Sequence, residues 1–156
     1  MNPSNPPSPT VDIRPLVESD HDDWLRLWRG YQDFYQVDIA PDVSRVTWLR
    51  LLDRSEPMHG AVALSAGKTI GLVHFIYHRS CWTTGNYCYL QDLFVASDVR
   101  GRGTGRALIE YVYRRARAAG CSRVHWLTHE SNKTAMQLYD RIAERPGFIQ
   151  YRHKLG

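Results

Sequence analysis

Cysteine, lysine and long apolar runs are all scarce in this chain of 156 residues, and each shortage excludes something. Cys81, Cys88 and Cys121 are too few and too unevenly placed for a disulfide framework, and they fit a reducing, cytoplasmic setting. No apolar stretch approaches the roughly 20 residues needed to cross a bilayer. The first ten residues are rich in Pro, Ser and Asn and lack the apolar core of a signal peptide, so 1–10 is expected to be a disordered tail. Only Lys68, Lys133 and Lys154 are lysines among twenty basic residues, so arginine dominates the net charge of +4. The arginines gather at 100–106 and 114–123. That suits a local anionic ligand and argues against a nucleic-acid footprint, which wants a basic stripe and a reading motif. Gly67-Lys68-Thr69 occurs, but a Walker loop also needs a glycine five residues before Gly67, where Val62 stands, which excludes it. A G-x-G-x-x-G pattern begun at Gly101 meets Arg106, and begun at Gly103 it meets Leu108, which excludes a Rossmann loop.

What is present reads as one α/β domain over residues 11–156, with 43% hydrophobic and 23% charged residues, ordinary for a globular protein. Val11 to Leu16 is an expected strand. Asp20 to Tyr35 is an expected helix, capped by Ser19 or Asp20. Trp24, Leu27, Trp28, Tyr31 and Tyr35 share one face of it. Val37 to Pro41 is expected as loop and Ser44 to Leu52 as a short helix. Gly60 to Ser65 and Thr69 to His78 form a hairpin around Ala66-Gly67-Lys68. Tyr87 to Val95 is a longer strand. Thr104 to Ala119 is a helix with the apolar stripe Leu108, Ile109, Val112, Ala116 and Ala119, a Glu110–Arg114 pair, and Gly120 as its stop. Arg123 to Thr128 is a strand, Asn132 to Ala143 a helix capped by Ser131, and Phe148 to His153 a final strand. Hairpins followed by strand–helix alternation imply a mixed sheet with helices on its faces.

The segment between Val95 and the next helix is Arg100-Gly-Arg-Gly-Thr-Gly105, and Arg100, Gly103 and Gly105 fit R-x-x-G-x-G. Glycines bare the backbone so that successive N–H groups converge on an anion. The helix N-terminus that follows adds donors and a positive dipole end. Arg100, Arg102 and Arg106 add charge.

This loop resembles the acyl-CoA signature of the GNAT N-acetyltransferases. The resemblance continues through Tyr-Leu-Gln-Asp-Leu-Phe-Val (89 to 95) and Thr-His-Glu-Ser-Asn-Lys-Thr-Ala (128 to 135). Trp24-Leu-Arg-Leu-Trp-Arg-Gly-Tyr-Gln-Asp-Phe-Tyr35 is similar to the first helix of fungal Hpa-type enzymes, relatives of the polyamine acetyltransferases. Together these segments span roughly residues 11 to 153. The resemblance implies a mostly antiparallel sheet that splays between its two middle strands, with acetyl-CoA as acyl donor. It assigns Leu93, Phe94 and Val95, the loop residues Arg100, Gly101, Arg102, Gly103, Thr104 and Gly105 with Arg106, and Asn132, Ala135 and Tyr139 to the cofactor. Leu93 and Val95 would use backbone groups, compatible with core side chains. Asn132 and Tyr139 are seven apart, about 20° from each other around a helix, with small Ala135 on the same side.

The implied reaction is direct attack of a primary amine on the thioester, with a backbone N–H of the 87–95 strand stabilising the oxyanion. Tyr139 is the expected acid for the leaving thiolate. Asp92 is the candidate base. A carboxylate in so apolar a strand is costly unless it has a partner or a task, and a basic residue is the other available partner. Trp28, Tyr31 and Tyr35 are candidates for holding the amine through cation–π contacts, or they are core. Gln91 stands where polyamine-type relatives often carry Glu, which weakens a strongly cationic substrate. A small amine such as a polyamine or amino acid is expected. A protein lysine is the alternative within the family, and a non-catalytic acyl-CoA sensor the alternative outside it. The pairs His74/His78 and His125/His129 lack further ligands at zinc spacing, so no metal is expected. Cys88 is expected to be a buried inert thiol. A homodimer is expected from the resemblance, with the 148–153 segment pairing across the interface.

Overall fold

The chain alternates hairpins and helices, and the computed structural model, which describes residues 10–156, shows the sheet that results. The strands are β1 (Val11–Pro15), β2 (Met58–Ser65), β3 (Lys68–His78), β4 (Tyr87–Val95) and β5 (Arg123–His125). They lie in the sheet in that same order. The first four are antiparallel, joined by connections that reverse the chain. β5 runs parallel to β4, because a helix carries the chain back between them. Ala66 and Gly67 both have positive φ, 50° and 76°, as a two-residue type I′ turn requires. Lys68, expected in that turn, pairs with Ser65 and begins β3.

The helices are α1 (His21–Tyr35), α2 (Pro41–Leu52), α3 (Thr104–Ala118) and α4 (Lys133–Ile142). Trp24, Leu27 and Trp28 of α1 pack with Trp48 and Leu51 of α2 against Val62 and Leu72 of the sheet. On α3, Leu108 closes on Gly71 and the Tyr111 ring meets Phe75 edge-on. Leu72 lies on the opposite side of β3 from Gly71 and Phe75, so helices cover both faces. A Cβ on Gly71 would stand 3.2 Å from Leu108 and 3.1 Å from the Phe94 carbonyl, which is why glycine occupies that position.

The chain forms two compact units that divide after Trp126, the first holding the sheet with α1–α3, the second holding α4 and the C-terminal residues. The expected N-terminal tail, apart from Thr10, lies outside the described residues.

Several local expectations give way. Phe148 to His153 forms no strand: Phe148, Ile149 and Tyr151 are at least three-quarters exposed, and no ladder partner holds them. β5 stops at His125, short of Thr128, because its only described partner is β4 and their pairing ends at Tyr89. Pro41 opens α2 where a loop was expected, since its fixed φ suits a first helical turn. Neither Ser19 nor Asp20 caps α1 with a side chain. Asp20 instead binds Arg14 through both oxygens, at 2.7 and 2.8 Å, and accepts the Val17 N–H. Asn132, not Ser131, stands at the start of α4, because the Ser131 hydroxyl turns back to donate to His129 Nδ1. Glu110 pairs with Arg106 at 2.9 Å, where Arg114 was expected, following the tilt of helical side chains toward the N-terminus. Ala119 is exposed at the C-terminus of α3. Gly120 does end that helix, with φ 76°, and the N–H groups of Gly120 and Cys121 close on Arg117 and Ala116 as in a Schellman motif.

Candidate active site

The strand pairing of β3 with β4 decides where the chemistry points. His74 pairs with Asp92, but Phe75 pairs with Leu90, leaving Gln91 as the extra residue of a bulge. Without it, Leu90 and Asp92 would share a face. The bulge leaves Leu90 on the α3 side and turns Asp92 toward α1, the re-aiming that bulges provide near sites. Asp92 is 7% exposed there. Its Oδ2 lies 2.9 Å from His74 Nδ1, and His74 Nε2 accepts the Trp24 indole N–H at 2.9 Å. The partner of the costly carboxylate is thus a histidine, not an arginine or lysine.

Three tyrosines gather around the same carboxylate. Burial raises the Tyr31 hydroxyl well above its ordinary pKa, and the charge of Asp92 and a hydrogen bond to it raise it further. Tyr35 and Tyr89 are also raised, first by burial and then by Asp92. Tyr31 stacks on Trp28 at a centroid separation of 5.0 Å and meets the tilted Tyr35 ring at 4.8 Å.

A cavity of about 360 Å³ opens beside Asp92. Trp28, Tyr31, His74, Gln91 and Asp92 form one side of it. Val37 and Ile39 after α1, Val43, Thr47 and Leu51 of α2, Met58 of β2, and Phe75 and Ile76 complete the wall. Trp28 also donates its indole N–H to Ser44 at 3.0 Å, which ties α1 to α2. Tyr35, expected at the substrate, is outside this wall at the end of α1. Trp24 belongs to the core.

The second feature is backbone. The N–H of Ala96 is donated to Ile70 on β3, so by the alternation of a strand Leu93 and Val95 direct their backbone groups away from β3. Beyond His125 no described strand pairs with β4 on that side, which leaves these groups open beside β5, the edge strand of the described sheet and not one of its two middle strands. Phe94 differs: its ring packs on α1, where a Cβ on Gly30 would stand 2.8 Å from it. The Val95 carbonyl accepts Arg100 Nε at 2.9 Å, and the Arg100 guanidinium lies over the Phe34 and Phe94 rings. Gly101 and Gly103 follow with φ of 80° and 83°, and a Cβ at 101, 103 or 105 would meet nothing within 4 Å. The loop's open side is therefore bare peptide. α3 begins at Thr104 with N–H groups that have no intrahelical acceptor. Thr104 is 2% exposed, yet its Oγ1 finds no hydrogen-bond partner among the described residues. An orphaned buried hydroxyl at a helix N-terminus, beside open peptide, fits an anionic phosphate group. Arg102 and Arg106 are exposed beside it.

The family model for GNAT acetyltransferases matches residues 19–143. The chain belongs to the GNAT family. D-amino-acid N-acetyltransferase HPA3 of Saccharomyces cerevisiae is 32% identical to it over 144 residues, covering 91% of this chain and 89% of that protein. The thialysine N-epsilon-acetyltransferase of Sus scrofa is 39% identical over 147 residues, covering 87% and 85%. The crystal structure of ribosomal-protein-alanine N-acetyltransferase from Brucella melitensis biovar Abortus 2308 superposes with a TM-score of 0.79 at 23% identity, over 94% and 100% of the two chains, which shows the shared fold. This GNAT protein is an acetyl-CoA-dependent N-acetyltransferase.

In the second unit, Asn132, Ala135 and Tyr139 are half-buried along α4, and the Asn132 amide lies 3.5 Å from the Thr128 hydroxyl. Cys88 is fully buried, and burial, then Cys121, pushes its thiol up to about 12, the behaviour of an inert thiol. His78 and His125 meet at 3.0 Å, and among the described residues no third ligand joins them.

Sequence reasoning missed His74 and the whole α2 side of the cavity. The signal for His74 was available: an imidazole inside Ile70–Ile76 is a buried polar group in need of a partner, the same reasoning that singled out Asp92. The α2 wall carried no signal, because Val43 and Thr47 become site residues only through the packing of α2 on the sheet.

Proposed function

We propose that this GNAT enzyme acetylates a small primary amine with one positive charge and an apolar body. The observation that carries this reading is one carboxylate, Asp92, set into an otherwise uncharged and mostly apolar cavity wall. An ammonium seated at Asp92 is compensated; a second charge further in would be desolvated without a partner. The activities for which the relatives are named, on D-amino acids and thialysine, support a small-molecule acceptor.

Bound acetyl-CoA supplies an acetyl thioester as the electrophile. In the proposed assignment the peptide of Arg100 to Gly105, with Arg106 and Thr104, holds the diphosphate. Leu93 and Val95 offer backbone partners to the pantetheine arm, and Phe94 backs them. Asn132 and Ala135 on α4 are assigned to the same cofactor on the family resemblance of the 128–135 segment. Asp92 takes a proton from the ammonium, directly or through water, so that the nitrogen can form its bond to the acetyl carbon. As the carbon–sulfur bond breaks, the nitrogen would release its second proton to water, and the Tyr139 hydroxyl would give the sulfur a proton and regain one from water. Trp28, Tyr31 and Gln91 position the amine.

The reading extends to a cytoplasmic homodimer without metal, nucleic acid or membrane partners. No described helix is long and apolar enough to cross a membrane. The exposed Phe148, Ile149 and Tyr151 favour burial against a second copy. A monomer mass by light scattering at micromolar concentration overturns the dimer.

A panel of amines assayed for CoA release tests the substrate. Phenethylamine and isopentylamine should exceed spermidine and a histone-tail peptide in kcat/KM. Faster turnover of the peptide would favour the protein-lysine alternative. Acetyl-CoA binding without turnover of any amine would favour a sensor.

A further inference from the structure

We infer that His74 is a positioning residue that holds Asp92 as a charged carboxylate in one orientation, and that Trp24 selects the tautomer in which it does so. The inference rests on the role proposed for Asp92 in amine acetylation.

The chain of hydrogen bonds has only one consistent reading. An indole N–H donates and never accepts. Trp24 Nε1 lies 2.9 Å from His74 Nε2, so Nε2 must carry a lone pair. The imidazolium form, with hydrogens on both nitrogens, is excluded while that bond stands. The one ring hydrogen is then on Nδ1, 2.9 Å from Asp92 Oδ2, where a carboxylate accepts it. Trp24, His74 and Asp92 are 0%, 3% and 7% exposed, so water cannot substitute for these bonds.

A neutral donor suits the site better than an arginine or lysine would. A guanidinium would satisfy Asp92 by neutralising it, and the incoming ammonium would have to compete with a resident cation. Among the described residues no arginine or lysine pairs with Asp92. His74 gives the buried carboxylate a hydrogen bond and leaves its charge for the substrate. It also occupies Oδ2, so the carboxylate is oriented before the amine arrives. Trp24 sits 50 residues from His74 in sequence and belongs to the buried core, so the relay is braced by the packing of α1 itself.

The test is a mutant cycle with three readouts: kcat, KM for acetyl-CoA and melting temperature. His74→Leu should lower kcat by at least about tenfold and change KM for acetyl-CoA by less than about twofold, as expected for a residue acting through a proton-transferring group. His74→Asn, whose amide N–H stands near the lost Nδ1–H, should recover most of the activity. In an Asp92→Asn background, His74→Leu should cost nothing further. Equal losses from His74→Leu in both backgrounds, or an inactive His74→Asn, would overturn the inference while leaving Asp92 in place. An Asp92→Asn variant as active as the wild type would sink the role of Asp92 itself. A measurement on the unaltered protein guards against variants that do not fold. Long-range proton–nitrogen NMR of 15N-histidine-labelled enzyme should show His74 neutral and protonated on Nδ1. An Nε2-protonated ring or an imidazolium would overturn the inference.

Discussion

The cavity beside Asp92 and the glycine loop are made of different parts of the chain. The pocket works with buried side chains: Asp92, His74 and Trp24 come from β4, β3 and α1 and meet only when the core packs. The loop works with exposed peptide: its glycines present nothing but backbone, and one orphaned hydroxyl, Thr104 Oγ1, lies beneath. A side-chain site is specific and depends on the whole fold. A backbone site depends on local conformation and tolerates change around it as long as the peptide stays bare. The two should therefore fail differently.

The largest failure should come from the loop. Gly103→Glu puts a carboxylate into the proposed anion seat at a residue whose φ is 83°. Acetyl-CoA affinity should fall by more than about 10³-fold, combining charge repulsion with loss of the left-handed turn. The melting temperature should fall only modestly, since a Cβ at 103 meets nothing within 4 Å. Gly103→Ala separates the two causes: it carries the backbone strain of about 1–2 kcal/mol without the charge. Near-normal affinity of a folded Gly103→Glu protein by calorimetry would remove the phosphate assignment.

Next in size is Tyr139→Phe. If Tyr139 protonates the departing sulfur, kcat should fall by roughly 10² to 10⁴. Acetyl-CoA affinity and melting temperature should hold, because the ring remains. Unchanged kcat with stability lower by about 1 kcal/mol would make the hydroxyl a structural hydrogen-bonding group and leave the proton to water or another residue.

The same contrast explains what could be read from the sequence. The loop was legible because everything it needs lies within six consecutive residues between a strand and a helix, and β4 and the start of α3 fell where periodicity put them. Asp92 was legible as an anomaly, a carboxylate in an apolar strand. His74 was an anomaly of the same kind in its own strand, but the pairing of the two was not legible, because the bulge at Gln91 sets the facing of Asp92 and no local pattern announces a bulge. The strand expected at Phe148 to His153 shows the opposite error. The segment has strand-like residues, but a strand also needs a partner edge, which composition cannot supply. Capping went wrong at both Asp20 and Ser131 for one reason: each polar side chain had a stronger long- or short-range partner, Arg14 for Asp20 and His129 for Ser131.

A smaller effect tests how far the pocket depends on the seating of α1. Arg14 on β1 holds Asp20 at the start of that helix and keeps its carboxyl below the usual carboxylate pKa, chiefly through their hydrogen bonds. Asp20→Asn should cost about 1.5 kcal/mol, the low end for a hydrogen bond to a charged group, because Arg14 is partly in solvent. The pH dependence has a definite sign. The folded pKa lies below the unfolded value of about 3.9, so the stabilisation is complete above that value and is lost as pH falls through the folded pKa. The gap in stability between wild type and variant should accordingly narrow on acidification below about pH 4. A gap that stays constant down to pH 2 would mean that the pair contributes through packing and not charge.

The smallest expected effect concerns the count of charges in the pocket. Gln91 is the exposed extra residue of the bulge, beside Asp92 on the cavity wall. Gln91→Glu places a second carboxylate there without touching His74 or Trp24. Two like charges at the rim of a partly hydrated cavity should cost little when a diamine is present to pair with both. They should offer nothing to a monoamine. The ratio of kcat/KM for 1,5-diaminopentane over isopentylamine should rise about tenfold, or ~1.4 kcal/mol, between the values for unit charges about 4 Å apart in water and near a protein surface. The glycine loop is untouched, so KM for acetyl-CoA should not move. A ratio that stays put would show that selectivity is set by the shape of the apolar wall, and the single-charge argument for the substrate would fail. A rise in the ratio accompanied by a shift in acetyl-CoA affinity would show instead that the side-chain pocket and the backbone loop are coupled.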